Sequence, residues 1–127
     1  MTHDQLHSAC HVWLWNEHPE LRGLFHTNFS DIKIVEDMVR TLTGLQIGSK
    51  RSIILARLKS IGLVKGTYDH EFLYHGTIHF FDAKVGGDRL SPEQIHFKAI
   101  NTEHGAKCYE YSTVEEFKKL ITEILCK

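Results

Sequence analysis

Long apolar runs are missing from this chain: no stretch of about 18 consecutive hydrophobic residues occurs, and no basic segment leads into an apolar one at the start. Neither a transmembrane helix nor a signal peptide is expected, so the chain should have no membrane partner and should reside in the cytoplasm. Internal repeats and low-complexity tracts are also absent. Cysteine is scarce: Cys10, Cys108 and Cys126 stand far apart with no C-x-x-C pair, which argues against zinc or redox work. The three thiols are expected to be reduced and packed. The lack of any compositional extreme, with 42% hydrophobic and 24% charged residues, excludes a disordered or fibrous chain, and 127 residues suit one domain but not two.

Acidic residues are missing from one segment. Residues 48–66, GSKRSIILARLKSIGLVKG, hold Lys50, Arg51, Arg57, Lys59 and Lys65 with no Asp or Glu, so a chain of net charge −1 contains a segment of +5 and a remainder of −6. A local basic surface of this kind suits phosphates, and it equally suits a solvated helix face. Histidine, by contrast, is abundant, at ten residues. No His shows H-x3-H spacing with a carboxylate or Cys completing a ligand set, so surface and half-buried imidazoles are expected, and a histidine-based zinc protein would require stoichiometric zinc in isolated material.

The apolar period predicts a first helix over 3–16, capped by Thr2 with Gln5 three positions on, and with Leu6, Ala9, Cys10, Trp13 and Leu14 as its stripe. Pro19 and Gly23 end regular structure. A second helix is expected after Ser30, carrying Ile32, Val35, Val39 and Leu42 and closed by Gly44. A third is expected over about 50–61, capped by Ser49, with Ile54, Leu55, Leu58 and Ile61 inward. The period then changes to two: residues 68–74 and 77–85 form strands about a His75-Gly76 turn. Ser91 and Pro92 open a helix that ends at Gly105, residues 107–111 read as a strand, and Ser112 caps a last helix carrying Val114, Phe117, Ile121, Ile124 and Leu125. The expected class is α/β, a small mixed sheet flanked by helices.

The hairpin register carries the chemistry. A two-residue turn at 75–76 sets Tyr74 against Thr77, Phe72 against His79 and Asp69 against Asp82. Like charges directly opposed on an antiparallel pair destabilise it. A divalent cation offsets that repulsion, because hard Mg²⁺ takes oxygen ligands from one or two carboxylates plus water and phosphate. Lys84, two residues past Asp82, lies on the same strand face and beside such a metal. This set suits phosphodiester hydrolysis: the metal polarises the phosphate and acidifies a water, and Lys84 orients that water or stabilises the developing charge. It equally fits a hairpin with charged ends in which Lys84 merely neutralises Asp82.

Gly66-Thr67-Tyr68-Asp69, Asp82-Ala83-Lys84 and Gly-Gly-x-Arg-Leu-Ser-Pro-Glu-Gln over 86–94 resemble the VRR-NUC branch of the PD-(D/E)xK nuclease superfamily. His26-Thr27-Asn28, Ala56 to Gly62 and Gly105 with the strand after it fit the same pattern, and residues 29–47 look like an added helix. The resemblance implies a single restriction-endonuclease-like domain over 1–127 and a Mg²⁺- or Mn²⁺-dependent endonuclease. Asp69, Asp82 and the Ala83 carbonyl would hold the metal, and Lys84 would serve the attacking water. Gln94 would lie near the metal, although it also completes a capping box with Ser91. Stand-alone members are small phage or bacterial proteins that dimerise and act on branched DNA such as Holliday junctions, so a homodimer in a bacterial or phage-infected cytoplasm is expected, with Lys50, Arg51, Arg57, Lys59 and Lys65 on the DNA. The chain departs from the family in three places: Tyr68 replaces Pro, Asp82 replaces a longer Glu, and the metal-facing Glu of the first helix has only Asp4 or Gln5 as counterpart, where Gln5 also caps Thr2. These departures motivate the alternative, a nucleic-acid-binding module that keeps the fold with weak or no catalysis.

Overall fold

A computed structural model describes residues 1–28 and 33–127. The chain runs α1 (His3–Glu17), a 3-10 turn (Pro19–Leu21), β1 (Phe25–Thr27), α2 (Lys33–Thr43), a 3-10 turn (Gly48–Lys50), α3 (Arg51–Ser60), β2 (His70–Tyr74), β3 (Thr77–Ala83), α4 (Pro92–Glu103), β4 (Lys107–Tyr111) and α5 (Val114–Leu125). The strands form one four-stranded mixed sheet in the order β1-β2-β3-β4, antiparallel except for the parallel β3–β4 pair. A mixed α/β architecture with flanking helices is the expected class.

Two layers cover the sheet. Side chains alternate along β3, so Phe81 and Ala83 face α1 and α5, while Phe80 and Asp82 face α4. On the first face Leu6, Cys10, Leu14, Phe25, Phe72, Phe81, Tyr111, Phe117 and Ile121 form the buried core. On the other, Phe80 meets Phe97 of α4 edge-on at 4.9 Å, and Tyr68 stacks on Phe97 at 5.6 Å. The position where the resembling family carries Pro therefore holds a fully buried tyrosine that anchors the chain just before Asp69.

Local signals explain most element ends. Thr2 and Gln5 form a reciprocal capping box on α1, and Ser91 and Gln94 form another on α4. His75 and Gly76 both adopt positive φ, 47° and 78°, the conformation a two-residue hairpin turn requires. The register is the expected one, with Tyr74 opposite Thr77 and Phe72 opposite His79. The strands are shorter than expected, so Asp69 and Lys84 lie just past the ladder ends.

Several expectations are corrected. β1 falls where only irregular chain was expected. Its three residues carry no readable period and are held by pairing with Phe72, Glu71 and His70. The cap position of α3 is Lys50 rather than Ser49, and that of α5 is Thr113 rather than Ser112, with Thr113 Oγ1 accepting from the Glu116 N–H. Ser30 and Ile32, expected at the start of α2, lie outside the described residues, as do the side chains of Val35 and Ser49. Ile61 does not face inward: it is 78% exposed, and Leu42 is 83% exposed. Among the described residues the substantial packing partner of α3 is the 3-10 turn before it, and Ile54, Leu55 and Leu58 are only half-buried. Cys10 is buried and Cys108 half-buried, but Cys126, just past α5, is exposed instead of packed. No helix among the described residues is long and apolar enough to cross a membrane.

Candidate functional site

The open end of the hairpin brings Asp69, Asp82 and Lys84 together. The Asp69 N–H donates to Asp82 Oδ1 at 3.2 Å, so the two residues meet as the register requires. Asp69 Oδ2 accepts from the Ala83 N–H at 2.9 Å, which ties the acid of one strand to the backbone of the other. In an extended strand a residue's N–H and C=O share one edge, so the Ala83 carbonyl also lies on the Asp69 side. Lys84 Nζ contacts Asp82 Oδ2 at 2.8 Å, with the Asp82 side chain 2% exposed and that of Lys84 17%.

Gln94 completes the expected capping box and also meets Lys84 and Asp82. Its Oε1 accepts from the Ser91 N–H at 3.1 Å, completing the capping box, and from Lys84 Nζ at 2.9 Å. Its Nε2 donates to Asp82 Oδ2 at 3.2 Å. The first turn of α4 therefore locks a carboxamide over the lysine–aspartate pair. Gly66 allows this approach. It has φ +92°, and a Cβ there would lie 2.6 Å from the Glu93 backbone carbon, so only glycine lets the chain pass against the start of α4.

Asp4 and Gln5 do not reach the site. The Asp4 side chain is 94% exposed, and Gln5 turns back to accept from the Thr2 N–H. Their place is taken by histidine. His3 Nε2 lies 3.0 Å from Asp69 Oδ2, and the ring of His7, one helical turn on, lies 3.9 Å from the ring of His70. The candidate ligand atoms of His3, His7 and Asp69 all fall within 4.8 Å of one another. The expectation that no H-x3-H pair is completed by a carboxylate is thus overturned. His3, His7 and His11 do follow that spacing on one helix, and the completing acid comes from a residue far along the chain. His70 is buried, and among the described residues both its ring nitrogens are unpartnered.

The electrostatics follow this layout. Burial, reinforced by the charge of Asp69, pushes the Asp82 carboxyl above the usual carboxylate range, with Lys84 opposing. Burial would raise Asp69 too, but the hydrogen bonds from His3 and the Ala83 N–H outweigh it and hold that carboxyl low. The bond to Asp69 lifts His3 to about 9 despite partial burial. Two adjacent acids are thereby pushed in opposite directions, the pattern of a shared charged site.

Among the described residues, none of the five basic residues pairs with these acids. Arg51 pairs with Glu36, and Lys65 with Glu93 at 3.4 Å, so part of the +5 is neutralised locally. The Lys65 pair does tie the end of the basic segment to the first turn of α4, beside Gln94. No family model matches the chain. No curated protein and no solved structure matches it either.

Proposed function

We propose that the protein is a divalent-metal-dependent DNA endonuclease of restriction-endonuclease-like fold, with Asp69, Asp82 and Lys84 at its centre and Gln94 beside them. The observation that supports this most is a buried aspartate whose neighbours are a second aspartate, a lysine and a carboxamide fixed by a helix cap. The donor set fits Mg²⁺ or Mn²⁺: two adjacent carboxylates and a strand-end carbonyl are hard oxygen ligands, and the Asp82 carboxyl, raised by burial and by Asp69, is the kind of site that a dication relieves. A metal held there would supply Lewis acidity toward the phosphate and a water of lowered pKa. The protein's own part is positional. Gln94 and Asp82 fix the Lys84 ammonium between them, and that ammonium is placed to hold the attacking water or the charge growing on the phosphate. His3 orients Asp69. The basic segment 50–65 would meet the DNA backbone, and a two-fold dimer would present two such sites to a branched substrate such as a Holliday junction. A monomer by light scattering at working concentration would remove the symmetric part of this reading.

One observation favours the binding-module alternative: the charges close without a metal, since His3 matches Asp69 and Lys84 matches Asp82. Incubation of the protein with labelled four-way junction and plain duplex, with and without Mg²⁺ or Mn²⁺, separates the two. Metal-dependent cleavage that Asp82→Ala abolishes supports the nuclease. Salt-dependent binding without cleavage under either metal supports the module.

A further inference from the structure

The face of α1 that carries His3 and His7 has no part in the reading above beyond the orientation of Asp69. The two imidazoles are four residues apart, on the same helix face. His3 Nε2 and Asp69 Oδ2 are already 3.0 Å apart, close to the spacing of about 3.3 Å that two ligands take around a tetrahedral ion with bonds near 2.0 Å. The His7 atom lies within 4.8 Å of both, so a side-chain rotation and not a backbone shift brings it in. A second, independent feature points to the same place. His70 is fully buried, has no partner for either ring nitrogen among the described residues, and presents its ring to His7 at 3.9 Å. Phe25, whose ring is 4.7 Å from that of His70, closes the apolar wall behind it. Two imidazoles and one carboxylate, with solvent on the open side, match the donors of an open three-ligand site.

We propose that His3, His7 and Asp69 form a binding site for a first-row transition-metal dication of the Zn²⁺ or Co²⁺ type, in preference to Mg²⁺. Imidazole nitrogen is a borderline ligand that these ions accept readily, whereas Mg²⁺ favours oxygen and gives up its water reluctantly. The site shares Asp69 with the proposed hydrolytic centre but does not rest on hydrolysis.

Cobalt titration of the chelator-stripped full chain tests the proposal, read by visible absorption and equilibrium dialysis. The expected result is one Co²⁺ per chain, retained in excess Mg²⁺. His3→Ala and His7→Ala each weaken it at least tenfold, while His96→Ala, at an exposed position on α4, leaves it unchanged. Binding that is undetectable, unchanged in both α1 variants, or displaced by Mg²⁺ overturns the proposal. X-ray absorption of the zinc-loaded wild type needs no variant to fold: two imidazoles in the coordination shell support the site, and an all-oxygen shell overturns it. Cobalt binding with no DNA cleavage would leave this site standing and sink the nuclease reading. Mg²⁺-supported cleavage that is indifferent to both α1 variants, with no cobalt bound, would do the reverse.

Discussion

Replacing His70 by Phe should make the protein more acid-resistant than the wild type, by a margin that grows as pH falls. His70 is fully buried, its ring nitrogens have no partner among the described residues, and its ring lies among Phe25 at 4.7 Å, His7 at 3.9 Å and Phe117 at 6.4 Å. Burial, with a smaller push from His7, lowers it from 6.5 to about 3. Because the folded value is depressed, both states hold a neutral ring above pH 6.5 and the group contributes no pH dependence there. Below that pH the unfolded chain takes up a proton that the folded chain refuses, and stability falls until the pH reaches the folded value. The slope is somewhat over 1 kcal/mol per pH unit, so roughly 3 kcal/mol is lost at about pH 4.5. Phe removes this term and also two unsatisfied nitrogens, at some risk of overpacking. Both packing effects are the same at every pH, so the widening of the gap isolates the titration. Urea unfolding of wild type and His70→Phe at about pH 8 and pH 4.5 measures it. A gap that stays constant within about 0.5 kcal/mol would refute the reasoning.

Gly66→Ala should destabilise the fold by about 3 kcal/mol, since it combines a positive φ with a clash against the Glu93 backbone, and a thermal melt shifted by less than a degree would contradict that. Lys84→Met strips the cation from a buried carboxylate and should cost about 3 kcal/mol near neutral pH. The loss should shrink in acid: the Asp82 carboxyl is raised in the folded state, so its ionised, penalised form appears only as pH rises, and an equal loss at both pH values would count against the pairing. Mn²⁺ at about a hundred times its dissociation constant should stabilise the wild type by about 2.7 kcal/mol and Asp69→Asn much less, as read by melting temperature, and equal shifts in the two would remove Asp69 from the metal.

Features specified within a few residues were legible in the sequence, and those that depend on distant partners were not. The Thr2/Gln5 and Ser91/Gln94 boxes and the His75-Gly76 turn are local, and they fix α1, α4 and the hairpin. From the turn alone the meeting of Asp69, Asp82 and Lys84 follows by counting along two strands. The cap of α5 was misplaced by one residue although Thr113 and Glu116 spell a capping-box pattern. In the structure Glu116 turns to the Ser112 N–H, at 2.8 Å, so both candidate residues are used. β1 escaped because three residues become a strand only beside β2. Ile61 was misjudged because an apolar stripe shows that a helix has a face, not that a partner covers it. His3 and His7 carried a visible spacing, but the carboxylate that gives it meaning is 66 residues from His3.

Cleavage of a labelled four-way DNA junction in Mn²⁺, compared between the wild type and Asp82→Asn, tests the central claim most directly. Asp82 is buried and meets Asp69, Lys84 and Gln94. The proposed chemistry predicts metal-dependent cutting by the wild type, a loss of at least a hundredfold in Asp82→Asn, and junction binding kept by both. Equal cutting by the two proteins, or binding by both with no cutting in any divalent metal, would contradict it.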